Sequence, residues 1–143
     1  MKLTRGGEYG IRGVLYLAQQ DDGKVSMLSA IAKTQDVPPR FLAKIFQALA
    51  KAGVVKSHRG AKGGFSLARP ASEISIRDVI EAVEGPVFLN VCVAGPGDCT
   101  RDQICPMHAV WAEAQEKMMG VLAGSNFADL AKAAGKLRSP GEA

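Results

Sequence analysis

Residues 28–69 read LSAIAKTQDVPPRFLAKIFQALAKAGVVKSHRGAKGGFSLAR, and the order of elements within this stretch decides the fold. Leu28, Ile31 and Ala32 fall on one side of a short helix over Leu28–Gln35, which stops before Asp36-Val37-Pro38-Pro39. Proline is well tolerated at a first helical position, because its missing N–H would be unpaired there in any case. A second helix is therefore expected from Pro39 to Gly53, a residue suited to a left-handed stop. This helix is two-sided: Leu42, Ile45, Phe46 and Leu49 form an apolar stripe, and Arg40, Lys44, Gln47 and Lys51 recur opposite it at i, i+4, i+7 and i+11. Taken alone it is as readily an ordinary amphipathic surface helix. The residues after Gly53 favour another reading. VVKSH (54–58) and FSLAR (65–69) have the character of short strands, and RGAKGG between them is rich in the residue that takes positive φ without penalty. Helix, turn, helix and hairpin in this order make a winged helix-turn-helix with Arg59 and Lys62 at the tip of the wing. A phosphate-binding loop is excluded for RGAKGGFS, which lacks the G-x4-G-K-[ST] spacing and lies between strands.

Upstream, Ile11, Val14, Leu15 and Ala18 place a helix over about Thr4–Gln19, ended by QDDGK. Downstream, Ser75 caps a fourth helix with Asp78 as its capping-box partner, and Gly85-Pro86 end it. From Pro106 a long helix begins in which Met107, Val110, Trp111, Ala114, Met118 and Leu122 repeat at spacings of three and four, with Glu113 and Lys117 as an exposed pair. Gly124 closes it. A last short helix over about Asn126–Ala134 precedes a tail, residues 135–143, expected to be mobile. For Trp111 and Met118 the pattern leaves core and symmetric interface equally open. A reader of DNA usually grips two half-sites about 34 Å apart with two copies, which makes this helix the candidate dimer contact. The expected fold class is mainly α with a small β-hairpin: a winged helix-turn-helix plus a long C-terminal dimerisation helix. The expected domains are residues 1–85 for DNA binding, 86–105 for a cysteine-containing loop, and 106–143 for the dimerisation helix, the last helix and the tail.

The net charge of +4 is unevenly spread. Residues 1–32 carry four basic and three acidic groups, residues 33–69 carry eight against Asp36 alone, and residues 70–143 carry six against ten. The segments are thus +1, +7 and −4. A basic region concentrated on the helix-turn-helix and wing is the footprint of a polyanion partner such as DNA, although a solvated basic face has the same charge. In such a complex Arg40, Lys44 and Gln47 would reach base edges, Lys51 would continue their face, and Arg59 and Lys62 would anchor the wing. His58 is expected near DNA phosphates rather than near a metal.

All three cysteines and one of the two histidines lie within CVAGPGDCTRDQICPMH, residues 92–108. No apolar run approaches a membrane span of roughly 20 residues, and the N-terminus lacks the pattern of a signal peptide, so a reducing cytoplasmic location is expected. Thiols there are ligands or redox sensors rather than disulfide partners. Soft thiolates suit iron-sulfur clusters and zinc. The wide gaps and the absence of a C-x2-C pair fit a Cys3His zinc site less well than a cluster, and a bare thiol switch is a further reading. Pro106 places Cys105 at a helix N-terminus, and His108, in the first turn, is either a ligand or an exposed residue. The two histidines lie far apart in sequence and no separate acid/base constellation is present, so no enzyme is expected.

With these pieces placed, the chain resembles the IscR/NsrR/RirA family of bacterial winged-helix transcription regulators, also called the Rrf-two family. MKLTRGGEYGIRGVLYLA resembles its opening helix, IAKTQDVPPRFLAKIFQALAKAGVVKSHRGAKGGFSLARP its helix-turn-helix and wing, and ISIRDVIEAVEG the helix after the wing. The three-cysteine loop ahead of a long helix completes the match. The resemblance implies a homodimer on a palindromic double-stranded DNA operator, acting as a repressor. It also implies an iron-sulfur cluster, 2Fe-2S rather than 4Fe-4S, on Cys92, Cys99 and Cys105, sensing cluster supply, redox state or nitric oxide. The first gap of C-x6-C-x5-C is one residue longer than the commonest family spacing. The fourth ligand implied is either His108 or Glu8, which sits where some branches use an acidic residue from the partner subunit. Glu8 can also be read simply as a helix-start acid. The alternative function is a cluster-free winged-helix repressor that uses its cysteines as a thiol switch or a zinc site.

Overall fold

The computed structural model describes residues 2–138. Helix α1 (Arg5–Ala18) starts at Thr4, whose Oγ1 accepts from Gly7 N at 3.2 Å. Glu84, far along the chain, closes the same end: its Oε1 accepts from Thr4 N at 2.8 Å and from the Thr4 hydroxyl. Helix α2 (Leu28–Gln35) ends on Asp36 in a left-handed conformation (φ 54°, ψ 53°), which aspartate tolerates better than most residues. Helix α3 (Pro39–Lys51) begins on the expected proline, and Gly53 turns the chain out of it at φ 78°.

The wing comes next as β1 (Val55–His58) and β2 (Gly64–Leu67), antiparallel with Val55 opposite Leu67 and His58 opposite Gly64. The second strand starts and ends earlier than the FSLAR pattern suggested. The reason lies in a segment that carries no strand pattern of its own. Ser26 and Phe65 exchange both backbone hydrogen bonds at 2.9 Å, so one residue of the α1–α2 connection acts as a third strand. A Cβ at residue 64 would lie 2.1 Å from the Ser26 carbonyl oxygen, which is why a glycine stands there.

Helix α4 (Ile76–Glu84) has the complete capping box, with Asp78 N donating to Ser75 Oγ at 3.1 Å and Ser75 N donating to Asp78 Oδ2 at 2.9 Å. After a long connection come α5 (Met107–Gly124) and α6 (Phe127–Arg138). The core is built where α1, α3 and α4 meet: Val14, Leu42, Phe46, Leu49 and Val79 are fully buried. Helices α1 and α3 approach so closely that a Cβ on Gly13 would stand 2.4 Å from the Phe46 ring. That ring also meets Phe65 of the wing edge-on, at 4.9 Å between centroids. Phe127 of α6 joins the same core, and Ile76 N to Ser125 O and Phe127 N to Ile74 O, both 3.0 Å, clamp its approach.

Two expectations for the C-terminal part differ from the structure. The apolar repeat of α5 is not core: Met119 is its one buried residue, whereas Met107, Val110, Trp111 and Val121 are exposed and Met118 is half-buried. Helix α6 runs four residues beyond Ala134, because one interior glycine costs only about 1 kcal/mol in a helix and Lys136, Leu137 and Arg138 favour continuation. The tail expected to be mobile is thus helical to Arg138, and its last residues, 139–143, lie outside the described residues. Among the described residues no helix is long and apolar enough to cross a membrane.

Candidate nucleic-acid face and cysteine loop

At 100° per residue, Arg40, Lys44, Gln47 and Lys51 fall within an arc of about 60° on α3. All four are exposed, while Leu42, Ile45, Phe46 and Leu49 on the opposite side are buried. Core burial therefore orients the basic face outward. Arg59 and Lys62 are exposed in the short loop between β1 and β2. That loop is tightened by Gly63 N donating to Gly60 O at 2.9 Å, with Gly60 at φ 104°. Among the described residues, none of these five cations takes part in a salt bridge, so their charges face solvent without a partner to neutralise them. His58, by contrast, is half-buried and shares a hydrogen bond with buried Ser66 Oγ at 2.8 Å, which ties its ring across the hairpin.

The cysteine loop leaves α4 at Gly85, where φ is 82°. Its first part is held by Gln115 of α5, whose Oε1 accepts from Leu89 N at 2.8 Å and whose Nε2 donates to Val87 O at 2.7 Å. Asn90 Oδ1 then accepts from Cys92 N at 3.2 Å, capping a single 3-10 turn over Val91–Val93. Further on, Gly97 N donates to Asp102 Oδ2 at 3.2 Å. Cys105 N donates to Arg101 O at 2.8 Å, and His108 N donates to Cys105 O at 3.2 Å, so the last thiol is delivered at the entry to α5.

All three thiols are free and half-buried. Partial burial pushes the Cys92 thiol above the usual range, and Cys99, which also bonds it through the side chain, and Cys105 push in the same direction. Cys92 is thus within electrostatic reach of both other sulfurs. Cys92 and His108 line one cavity of about 460 Å³ together with Val93, Pro96, Asp102 and Gln115; Cys99 and Cys105 do not line it. The Nδ1 of His108 is buried without a hydrogen-bond partner, a status shared among the described residues only by Ser26 Oγ. Glu8 is exposed on the first turn of α1 and does not line this cavity. Among the described residues, no three His, Cys, Asp or Glu side chains are placed to hold a single metal ion. Sequence reading missed Gln115 and Asn90. Gln115 lies seven residues beyond His108 on the same helix, and that two-turn spacing is the one signal that could have found it.

Residues 3–133 match the family described as Rrf2, iron-dependent transcriptional regulator. The HTH-type transcriptional regulator IscR of Klebsiella pneumoniae is 32% identical over 130 residues, covering 91% of this chain and 79% of its own. Among solved structures, T. potens IscR is similar at a TM-score of 0.78 and 29% identity, with 96% of this chain and 91% of that one covered. CymR, the global cysteine regulator of B. subtilis, is similar at 0.76 and 28%, with 93% and 98% covered. These relatives are named as regulators and not as enzymes. With the helix-turn-helix, the wing and the cysteine loop in their expected order along a chain matched almost end to end, the protein belongs to the Rrf2 family of transcriptional regulators.

Proposed function

We propose that the protein is a cytoplasmic, homodimeric repressor that binds a palindromic double-stranded DNA operator, and that an iron-sulfur cluster of the 2Fe-2S type governs the binding. Cys92, Cys99 and Cys105 would hold the cluster, with His108 rather than Glu8 as fourth ligand. The observation that carries this reading is the buried Nδ1 of His108, unpartnered, on a residue that lines the same cavity as Cys92. A buried imidazole nitrogen without a partner is costly, and a metal ligand removes that cost. The donor set fits the group: three soft thiols and one imidazole suit iron-sulfur ligation. A cluster spreads its ligands over more than one iron, so it asks for donors around a volume rather than for convergence on one point.

When bound, the cluster would supply sensitivity to oxidants, nitric oxide or iron supply. The chain's own residues do the rest. The three thiols give up their protons on ligation. Gln115 and Asn90 fix the backbone on either side of Cys92. Arg40, Lys44 and Gln47 read base edges, Lys51 extends that face, and Arg59 and Lys62 hold phosphates. The exposed Met107, Val110 and Trp111 on α5 offer an apolar seat for a second copy.

The test is purification without oxygen, followed by visible absorption, iron and sulfide analysis, and the molecular mass in solution. Coloured protein with equal iron and sulfide is expected, running as a dimer, and His108→Ala should lose the cluster faster than Glu8→Ala. The reverse order would move the fourth ligand to Glu8. Colourless protein with stoichiometric zinc would overturn the cluster, and metal-free protein whose DNA affinity tracks reversible thiol oxidation would establish the thiol switch in its place.

A further inference from the structure

Phe41 stands on the first turn of α3, between Pro39-Arg40 and the core residue Leu42, and is 60% exposed. The helical step puts it about 60° round from Lys44 and about 20° from Ala48, on the flank of the basic face and away from the core stripe. Its packing is not needed to hold α3, since Leu42, Ile45, Phe46 and Leu49 already anchor the helix at 6% exposure or less. Nor is it spent on a neighbouring ring or cation: among the described residues the ring pair is Phe46–Phe65 and the cation over a ring is Arg12 over Tyr9. A single exposed apolar residue is ordinary on a protein surface. Its position here is not. In a helix-turn-helix the N-terminal residues of the second helix are those that contact base edges.

We propose that Phe41 is a specificity-determining residue that selects thymine in each operator half-site, beside the base read by Arg40. A phenyl ring has neither donor nor acceptor, so the one feature of a major-groove edge that it can recognise by attraction is the thymine C5-methyl group. Arg40 carries a bidentate fork suited to guanine, and the two side chains differ in what they can read. Ala48, one helical line along from Phe41, leaves room for the groove wall to approach. The proposal rests on α3 entering the major groove.

The experiment begins by selecting duplexes from a random pool with protein prepared without oxygen, both as isolated and after metal removal. Each thymine of the selected operator is then replaced in turn by uracil, which removes the C5-methyl and nothing else. Burial of one methyl group corresponds to about a fourfold change in Kd. The expected result is one thymine per half-site whose replacement weakens wild-type binding by about that factor and leaves Phe41→Ala unaffected. Phe41→Gln, polar and compatible with a helix, carries the same expectation should the alanine variant not fold. A flat uracil profile with wild type, or an equal drop with both variants, overturns the role of Phe41 while leaving groove binding in place. Failure of wild type to enrich any duplex in either preparation overturns both.

Discussion

Gln115→Ala removes, in one substitution, the two hydrogen bonds that hold the start of the cysteine loop against α5. The bonds are short, 2.8 Å from Leu89 N and 2.7 Å to Val87 O, and they join residues 26 and 28 positions apart. Each contributes about 0.5–1.5 kcal/mol net, so their joint loss is expected to cost about 1–3 kcal/mol. For a chain of this size that lowers Tm by roughly 5–10 °C. The consequence is also local, because Cys92 is reached through this segment: amide exchange over residues 87–93 should quicken by more than that of the core. Gln115→Glu separates the two bonds. It keeps an acceptor for Leu89 N, loses the donor to Val87 O, and sets a carboxylate against that carbonyl, so it should recover no more than half of the loss. Thermal melts and hydrogen exchange on the metal-free protein read both quantities, and cluster retention on the reconstituted protein reads the effect on Cys92. A Gln115→Ala protein with wild-type Tm and wild-type exchange over residues 87–93 would refute the reasoning.

Gly13→Ala gains about 1 kcal/mol of helix propensity but drives a methyl group against the buried Phe46 ring, an overpacking worth about 1–3 kcal/mol, so a net loss of up to about 2 kcal/mol is expected. Gly6→Ala, whose nearest neighbour would be 3.4 Å away, should not lose stability, and equal urea midpoints for the two variants would count against the close α1–α3 contact. In the metal-free protein the upward shift at Cys92 keeps its thiol protonated beyond the usual range. Its alkylation by iodoacetamide at neutral pH should therefore be slower than in the urea-unfolded chain, and the fold should lose stability as pH rises through the thiol range; timed mass spectrometry with equal rates in both states would disprove the shift. Arg59→Ala should reduce the slope of log affinity against log salt by about 0.9, the share of one phosphate, and parallel salt plots for variant and wild type would remove Arg59 from the DNA contact.

The helix-turn-helix was legible because its signals are local: a proline start, a glycine stop, and an apolar stripe repeating at helical spacing between Leu42 and Leu49. The Ser75–Asp78 box was equally readable, since both partners lie within one turn. The features that escaped are non-local. Ser26 acts as a strand only because Phe65 comes to meet it, and nothing in residues 24–27 alternates. On α5, spacing alone marks Met107, Val110 and Trp111 as apolar but cannot say which face α4 covers, and the buried residue of that helix, Met119, lies off the predicted repeat. The cysteines were found from their clustering. The polar groups that position them, Gln115 and Asn90, act through backbone atoms, which leave no mark of type or spacing.

The backbone bonds that join Ile74 and Ile76 to Ser125 and Phe127 bring together the start of α4 and the end of α5. Everything between them forms an arm with both feet pinned at one place, and the thiols sit in the span at its far end. The two limbs of this arm are not mechanically equivalent. The α4 limb buries Val79 and Ile80 and reaches across through Glu84 to the start of α1, which in turn rests on Phe46 of α3. The α5 limb buries Met119 alone. Displacement at the tip is thus felt at the recognition helix through the stiff limb, and the compliant limb can shift with little disturbance to the core.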